Sequence, residues 1–243
     1  LTSGGKLNPL QAIMDIRHYT IELDVDIAKQ SIAGFTEVSL NLSQKTDTLM
    51  LDLIHLYKVT GIKVNGKIAS YIQKDDKIFI NSSVGFEKGN QKVKIQYNGI
   101  PPVAIRPPWD GGFTWTKDVA GNDWVAINIQ GEGGKIYFPC KDHPSDEPND
   151  GVDMKITVPS NLVVAGPGLL INVNTKKNKS TYYWKTNYTI SNYCILFNIA
   201  KYKVARDTYT TIAGNIVPIE YYVLEADTAQ AKKVIELKKR DSK

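Results

Sequence analysis

Apolar residues at every second position over long runs narrow the fold of this chain more than any other feature. Tyr19, Ile21, Leu23, Val25 and Ile27 alternate with polar neighbours. After the turn Ala28-Lys29-Gln30-Ser31, the residues Ile32, Gly34, Thr36, Val38, Leu40 and Leu42 repeat the pattern. A period of two places one set of side chains on one face of a strand, so these runs predict a long antiparallel hairpin. Leu49, Leu51 and Leu53 predict a third strand. Val59, Ile62 and Val64 lead into Asn65-Gly66, a turn pair that tolerates positive φ and closes hairpins. Ile78 and Ile80, then Val93, Ile95 and Tyr97, extend the series. Further strands are expected at Met154, Ile156 and Val158, stopping at Pro159, and at the short buried run Leu162-Val163-Val164-Ala165. Tyr182 and Trp184, then Ile195, Phe197 and Ile199, continue the alternation. Lys201 to Val204, then Ile219, Tyr221 and Val223, close the β region.

Only the tail predicts a helix. Asp227 is suited to cap it with Gln230 three residues on, and Ala231, Val234 and Ile235 give a narrow apolar face. Lys238-Lys239-Arg240 suits a helix C-terminus. Residues 1–14 read as an extended lead-in. The fold class is therefore all-β, a largely antiparallel sheet or sandwich with a short C-terminal helix.

Composition excludes several classes of function. A 243-residue chain with 42% hydrophobic and 23% charged residues is globular rather than disordered. The formal charge of +5 is spread along the chain. With no basic stripe, helix-turn-helix or zinc-finger spacing, nucleic acid is not an expected partner. No apolar run of about 18 residues occurs, so no membrane-spanning helix is expected. Cys140 and Cys194 form no C-x-x-C and are expected to be free thiols. Asn41, Asn81, Asn178 and Asn187 each begin an N-x-[ST] triplet, which does not settle the compartment. A start at Leu1 is expected of a processed or excised piece, and both a cytoplasmic and an exported location stay open.

Chemistry concentrates between Trp124 and Pro148. There Gln130 and Glu132 stand among Gly131, Gly133 and Gly134, which predict a kinked strand or a close backbone approach. The acidic run Asp142-His143-Pro144-Ser145-Asp146-Glu147-Pro148 follows as a rigid loop. Its oxygens could hold a hard cation, but they lack an EF-hand's spacing. His18, His55 and His143 show no metal-ligand spacing, so no metal is expected in this chain. Cys140 lies close to His143, yet a thiolate nucleophile needs spatial pairing and an oxyanion hole, and burial is the expected state. Gly131-x-Gly133 lacks the following G-K-[ST] of a phosphate loop. Upstream, Gly99 to Asp123 carries Pro101, Pro102, Pro107, Pro108, Trp109, Phe113 and Trp115. This aromatic loop either caps the sheet or lines a cleft, and a free-standing module binding protein or carbohydrate through Trp109, Phe113 and Trp115 is the alternative function.

Several ordered motifs together resemble the aminopeptidase N family of zinc metallopeptidases, which includes leukotriene hydrolase. They are Asp15-x-x-His18-Tyr19, Ile32-x-Gly34, Leu51-Asp52, and Gln130 followed by Phe138-Pro139-Cys140-x-Asp142-x-Pro144. Met154-x-Ile156-x-Val158-Pro159, Val164-Ala165-Gly166 and Pro218-Ile219-Glu220-Tyr221-Tyr222 follow in the family's order. The resemblance implies a saddle-like N-terminal β-domain over residues 15–224, with 225–243 as a helix leading toward a catalytic domain. The family's H-E-x-x-H zinc site and its G-x-M-E-N motif are absent here. Zinc is thus expected in that catalytic domain, and this chain is expected to be inactive alone. The resemblance also implies that Gln130 helps hold the free α-amino group of a peptide substrate. Glu132, Lys135, Trp109 and Trp115 are further candidates for the cleft wall.

Overall fold

The computed structural model describes residues 3–241, with side chains through residue 237. The basic helix end Lys238-Lys239-Arg240 lies outside the described side chains. In chain order the elements are α1 (Pro9–Ala12), β1 (Met14–Asp26), β2 (Ser31–Leu42), β3 (Thr46–Asp52), β4 (Tyr57–Val64), β5 (Lys67–Ile68), β6 (Ser70–Lys74) and β7 (Lys77–Phe86). They continue with β8 (Gly89–Gly99), β9 (Gly112–Lys117), β10 (Asp123–Asn128), β11 (Val152–Pro159), β12 (Val163–Ala165), β13 (Leu169–Lys176) and β14 (Lys179–Thr186). The chain closes with β15 (Asn198–Ala200), β16 (Lys203–Thr210), β17 (Ile216–Val223) and α2 (Thr228–Asp241). The all-β expectation holds: several sheets, largely antiparallel, and one helix of length at the C-terminal end.

The main sheet has eight strands in the order β13-β14-β11-β1-β2-β8-β4-β5. β1 and β2 pair antiparallel over nearly their whole length, as the alternation predicts. Asn65 and Gly66 take φ of 50° and 81° and close the turn from β4 to β5. A three-stranded sheet, β3-β7-β6, and a four-stranded sheet, β12-β15-β10-β9, complete the body. One continuous core runs through all three sheets and includes Tyr19, Ile21, Leu23, Val38, Leu40, Leu51, Ile80, Ile95, Phe138, Ile156 and Phe197.

β16 and β17 pair only with each other. Their apolar residues Ala205, Ile219, Tyr221 and Val223 cluster with Ala231 and Ile235 of α2, apart from the main core. Tyr222 ties this unit to the body through edge contacts with Trp184 at 5.6 Å and Tyr202 at 6.4 Å.

Two expectations are corrected. Residues 1–14 are not wholly extended, since Pro9–Ala12 forms a helical turn. Asn8 Oδ1 accepts from the Leu10 N–H at 2.9 Å, and Pro9 occupies the first turn, where its missing N–H costs nothing. The aromatic loop is shorter than Gly99–Asp123, because β9 and β10 form a hairpin within it. On its second edge β1 pairs with β11, in parallel, from Tyr19–Val152 to Asp24–Thr157.

The resemblance motif's His18 sits half-buried on β1, 3.7 Å from Asp153, which also pairs with Lys185. Burial holds the imidazole below its ordinary 6.5, and the Asp153 carboxylate only partly offsets this. A group with a depressed folded pKa is protonated first in the unfolded chain. Its contribution is therefore complete above 6.5 and lost as pH falls through the folded value. Tm should decline as pH drops below 6.5, and His18→Gln should flatten that part of the profile. Parallel Tm profiles for the two proteins across this window would refute the assignment.

Candidate functional site

The candidate site lies where β10 ends. Val125 and Ile127 are buried on β10, and Ile129 continues into the core just past it. Gly131 then turns the chain at φ 72°, and the N–H groups of Glu132 and Gly133 both return to the Ile129 carbonyl, at 3.1 and 3.0 Å. Gln130 therefore occupies the turn rather than the strand, and its side chain is exposed. The expected glycine-kinked strand is instead a strand that stops. Gly133 has a separate cause. A Cβ there would stand 2.1 Å from the Asp142 carboxylate, so this close approach admits no side chain.

Behind the turn, residues 134–142 are fully buried and cross the core. Three buried tyrosine hydroxyls hold them. Tyr57 donates to the Ile136 carbonyl at 2.7 Å, Tyr97 to the Tyr137 carbonyl at 2.9 Å, and Tyr137 to the Ile195 carbonyl at 2.5 Å. Cys140 exchanges backbone bonds with Asp52, the last residue of β3. Asp52 Oδ2 accepts from the Asp142 N–H at 3.0 Å and from Gln11 of α1 at 2.5 Å. Burial pushes the Asp52 carboxyl up, and these hydrogen bonds work against it.

The charged groups of this segment are spent on each other. Lys135 Nζ lies 3.1 Å from Asp142 Oδ2, an ionic contact whose angles fall outside hydrogen-bond geometry. Asp142 Oδ1 accepts from the Gly134 N–H at 3.1 Å. Lys141 Nζ donates to Asp146 Oδ2 at 2.7 Å and to the Met14 carbonyl at 2.6 Å. Asp146 Oδ2 also accepts from the Ile16 N–H at 3.0 Å. His143 bonds Ser145 Oγ and the Gly5 carbonyl. Asp142 and Asp146 are thus each committed to a lysine. Among the described residues no three His, Cys, Asp or Glu side chains are grouped to hold a metal ion. His18, His55 and His143 face Asp153, Asp76 and Ser145 respectively, so the residues present do not fit a zinc site.

Cys140 offers no nucleophile. Burial first, and the Asp142 and Asp52 carboxylates next, push its thiol well above the ordinary value, so it stays protonated. It is free, as is Cys194, which is exposed.

The remaining site residues divide. Glu132 packs against the Trp109 loop. A Cβ on Gly111 would fall 2.3 Å from Glu132 Cγ, so that glycine lets the loop lie on the turn. Arg106 pairs with Asp110 at 3.1 Å across the same loop, and Trp109 between them is 75% exposed. Lys135, a candidate for the cleft wall, is buried. Trp115 stacks on Phe113 with ring centroids 5.4 Å apart, and Phe113 is buried against Tyr137 and Phe197. Trp109, Phe113 and Trp115 therefore form no common exposed platform. Trp115 borders a different depression, shared with Gln30 and Trp124.

A shallow cleft beside the Gln130 turn is lined by Ile129, Gly131, Asp142, Glu147, Asn192 and Tyr193, among others. Residues 3–5 run along it, with the Ser3 N–H on the Gly131 carbonyl and the Gly4 N–H on the Asp142 carbonyl, both at 3.2 Å. Sequence reasoning missed Tyr193, whose hydroxyl donates to Gln130 Oε1 at 2.6 Å. The two stand far apart in sequence, and no local pattern connects them.

The peptidase M1 N-terminal domain model matches residues 16–194, and the chain belongs to that family. No curated protein gives a significant match. Solved structures share the fold. An M1 zinc metallopeptidase mutant from Deinococcus radiodurans, bound to a Tyr-Ser-Ala substrate, superposes with a TM-score of 0.73 at 18% identity, covering 90% of this chain and 52% of that one. The same organism's enzyme without that mutation gives 0.72 at 17% identity, over 89% and 51%. Yeast LTA4 hydrolase in complex with bestatin gives 0.62 at 20% identity, over 80% and 30%. The chain therefore spans about half the length of the Deinococcus proteins.

Proposed function

We propose that this domain forms one wall of the substrate cleft of a zinc aminopeptidase, an enzyme that removes N-terminal residues from peptides. Zinc and the hydrolytic groups would belong to a catalytic domain of the same polypeptide, this domain's main partner. The β-domain is assigned to 15–224 and the connecting helix to 225–243. Because β16 and β17 pack on α2, hairpin and helix are carried together toward that junction.

The observation that carries this reading is the exposed carboxamide of Gln130, presented by a turn whose foundation is buried. An ammonium group donates to a carboxamide oxygen in a charge-assisted hydrogen bond, which strengthens as water is excluded. A neutral Gln anchors an ammonium less strongly than Glu but loses less on desolvation. Glu132, on the turn, and Trp109, on the loop packed against it, would extend the same wall with an acceptor and an apolar surface respectively. Trp115 supports the wall through Phe113 rather than by contact.

In the peptidase that carries this domain, Gln130→Ala is expected to raise KM for peptides with a free amino terminus about tenfold, with a smaller change in kcat. Initial-rate kinetics on an unblocked dipeptide amide check it. An unaltered KM would remove Gln130 from the site.

A further inference from the structure

We infer that Tyr193 is a positioning residue, which fixes the carboxamide of Gln130 with its oxygen end toward the substrate amine. The inference rests on the reading of Gln130 given above and adds a residue to it. Its basis is the 2.6 Å hydrogen bond from the Tyr193 hydroxyl to Gln130 Oε1, both side chains being exposed and Tyr193 lining the cleft.

A carboxamide has two ends of opposite character. Oε1 accepts hydrogen bonds, whereas Nε2 only donates and repels an ammonium. An exposed Gln rotates about its last bond, so on its own it offers the wrong end part of the time. A hydroxyl donating to Oε1 holds the acceptor on the Tyr193 side. Oε1 has a second lone pair left for the substrate N–H. The ammonium site therefore lies beside Gln130 Oε1, at the lone pair that the Tyr193 hydroxyl leaves free. Ordering the amide before substrate arrives removes part of the entropy cost of binding.

Tyr193 is itself held in place. It lies in a single 3-10 turn, Asn192–Cys194, whose Ser191 Oγ accepts from the Tyr193 N–H at 3.3 Å. Asn192 next to it is buried and donates from Nδ2 to the Lys141 carbonyl at 2.9 Å. The turn carrying Tyr193 is thereby fastened to the segment that carries Gln130. Both ends of the hydroxyl–carboxamide bond rest on one buried foundation.

The test uses the peptidase that carries this domain, a free-amino dipeptide amide as substrate, and five variants. Tyr193→Phe removes only a hydroxyl from a side chain that is 53% exposed, so the fold should stay intact. Its KM should rise about three- to tenfold with kcat nearly unchanged. In a Gln130→Ala background, Tyr193→Phe should add nothing. In a Gln130→Glu background its effect should shrink below twofold, because both ends of a carboxylate accept and orientation no longer matters. A purely structural tyrosine would cost the same in every background. If Gln130→Ala raises KM while Tyr193→Phe leaves it unchanged, or if the Tyr193→Phe effect is equal in all backgrounds, the inference is overturned. If Gln130→Ala itself has no effect, the underlying reading of Gln130 fails instead.

Discussion

Gly34→Ala is expected to destabilise the domain by about 3 kcal/mol or more, the upper range for overpacking a core. Gly34 lies in the first third of β2, opposite Leu23 of β1 and Tyr97 of β8. A Cβ there would stand 2.0 Å from the Glu22 carbonyl oxygen and 3.0 Å from the Leu23 Cα. Those atoms are backbone. They cannot step aside as a flexible side chain does, and the β1–β2 ladder would have to shift. For a domain of this size such a loss lowers Tm by roughly 6–12 °C. Thermal unfolding followed by circular dichroism reads it directly. A variant melting within a degree or two of the parent would mean the strand absorbs the methyl, contrary to the packing described.

Removing one half of the buried Lys141–Asp146 pair should be of similar size. Lys141→Met leaves the Asp146 carboxylate almost wholly buried, with only the Ile16 N–H as hydrogen-bond partner. Stranding a buried charge in this way costs about 3–5 kcal/mol. Asp146→Asn in the same chain removes the charge and keeps an oxygen for the Ile16 N–H. The double variant should therefore recover most of the loss, since a neutral replacement of a buried pair is often nearly isoenergetic. Urea denaturation midpoints of the parent, the single and the double variants give the comparison. A double variant no more stable than Lys141→Met would show that packing of the lysine stem, not the unpaired carboxylate, sets the cost.

Much of the fold was legible because strand alternation is a local signal. The hairpin of β1 and β2, the Asn65-Gly66 turn, the end of β11 at Pro159 and the apolar stripe of α2 all follow from residues a few positions apart. The pairing of β1 with β11 was not legible, since period-two patterning says nothing about which edge a strand will find. The helical turn at Pro9–Ala12 carried a readable signal, the Asn8 cap followed by proline, overshadowed by the glycines before it. At the candidate site the resemblance pointed to Gln130, and the glycines marked its turn. The partner Tyr193 and the lysines committed to Asp142 and Asp146 depend on contacts that the chain makes only when folded.

The parallel alignment of β1 with β11 also sets an order of events. β1 is made well before β11 and finds β2 first. Its other edge has no partner until Val152 and the residues after it have been made. Contacts so distant along the chain form late, because closing a long loop precedes any gain from pairing. During that interval an apolar strand edge stands open, which is the condition under which chains associate wrongly. The buried crossing from Gly134 to Asp142 reaches the core just before β11 is made. Gln130 and the foundation beneath it are therefore built in the same late step that closes the sheet.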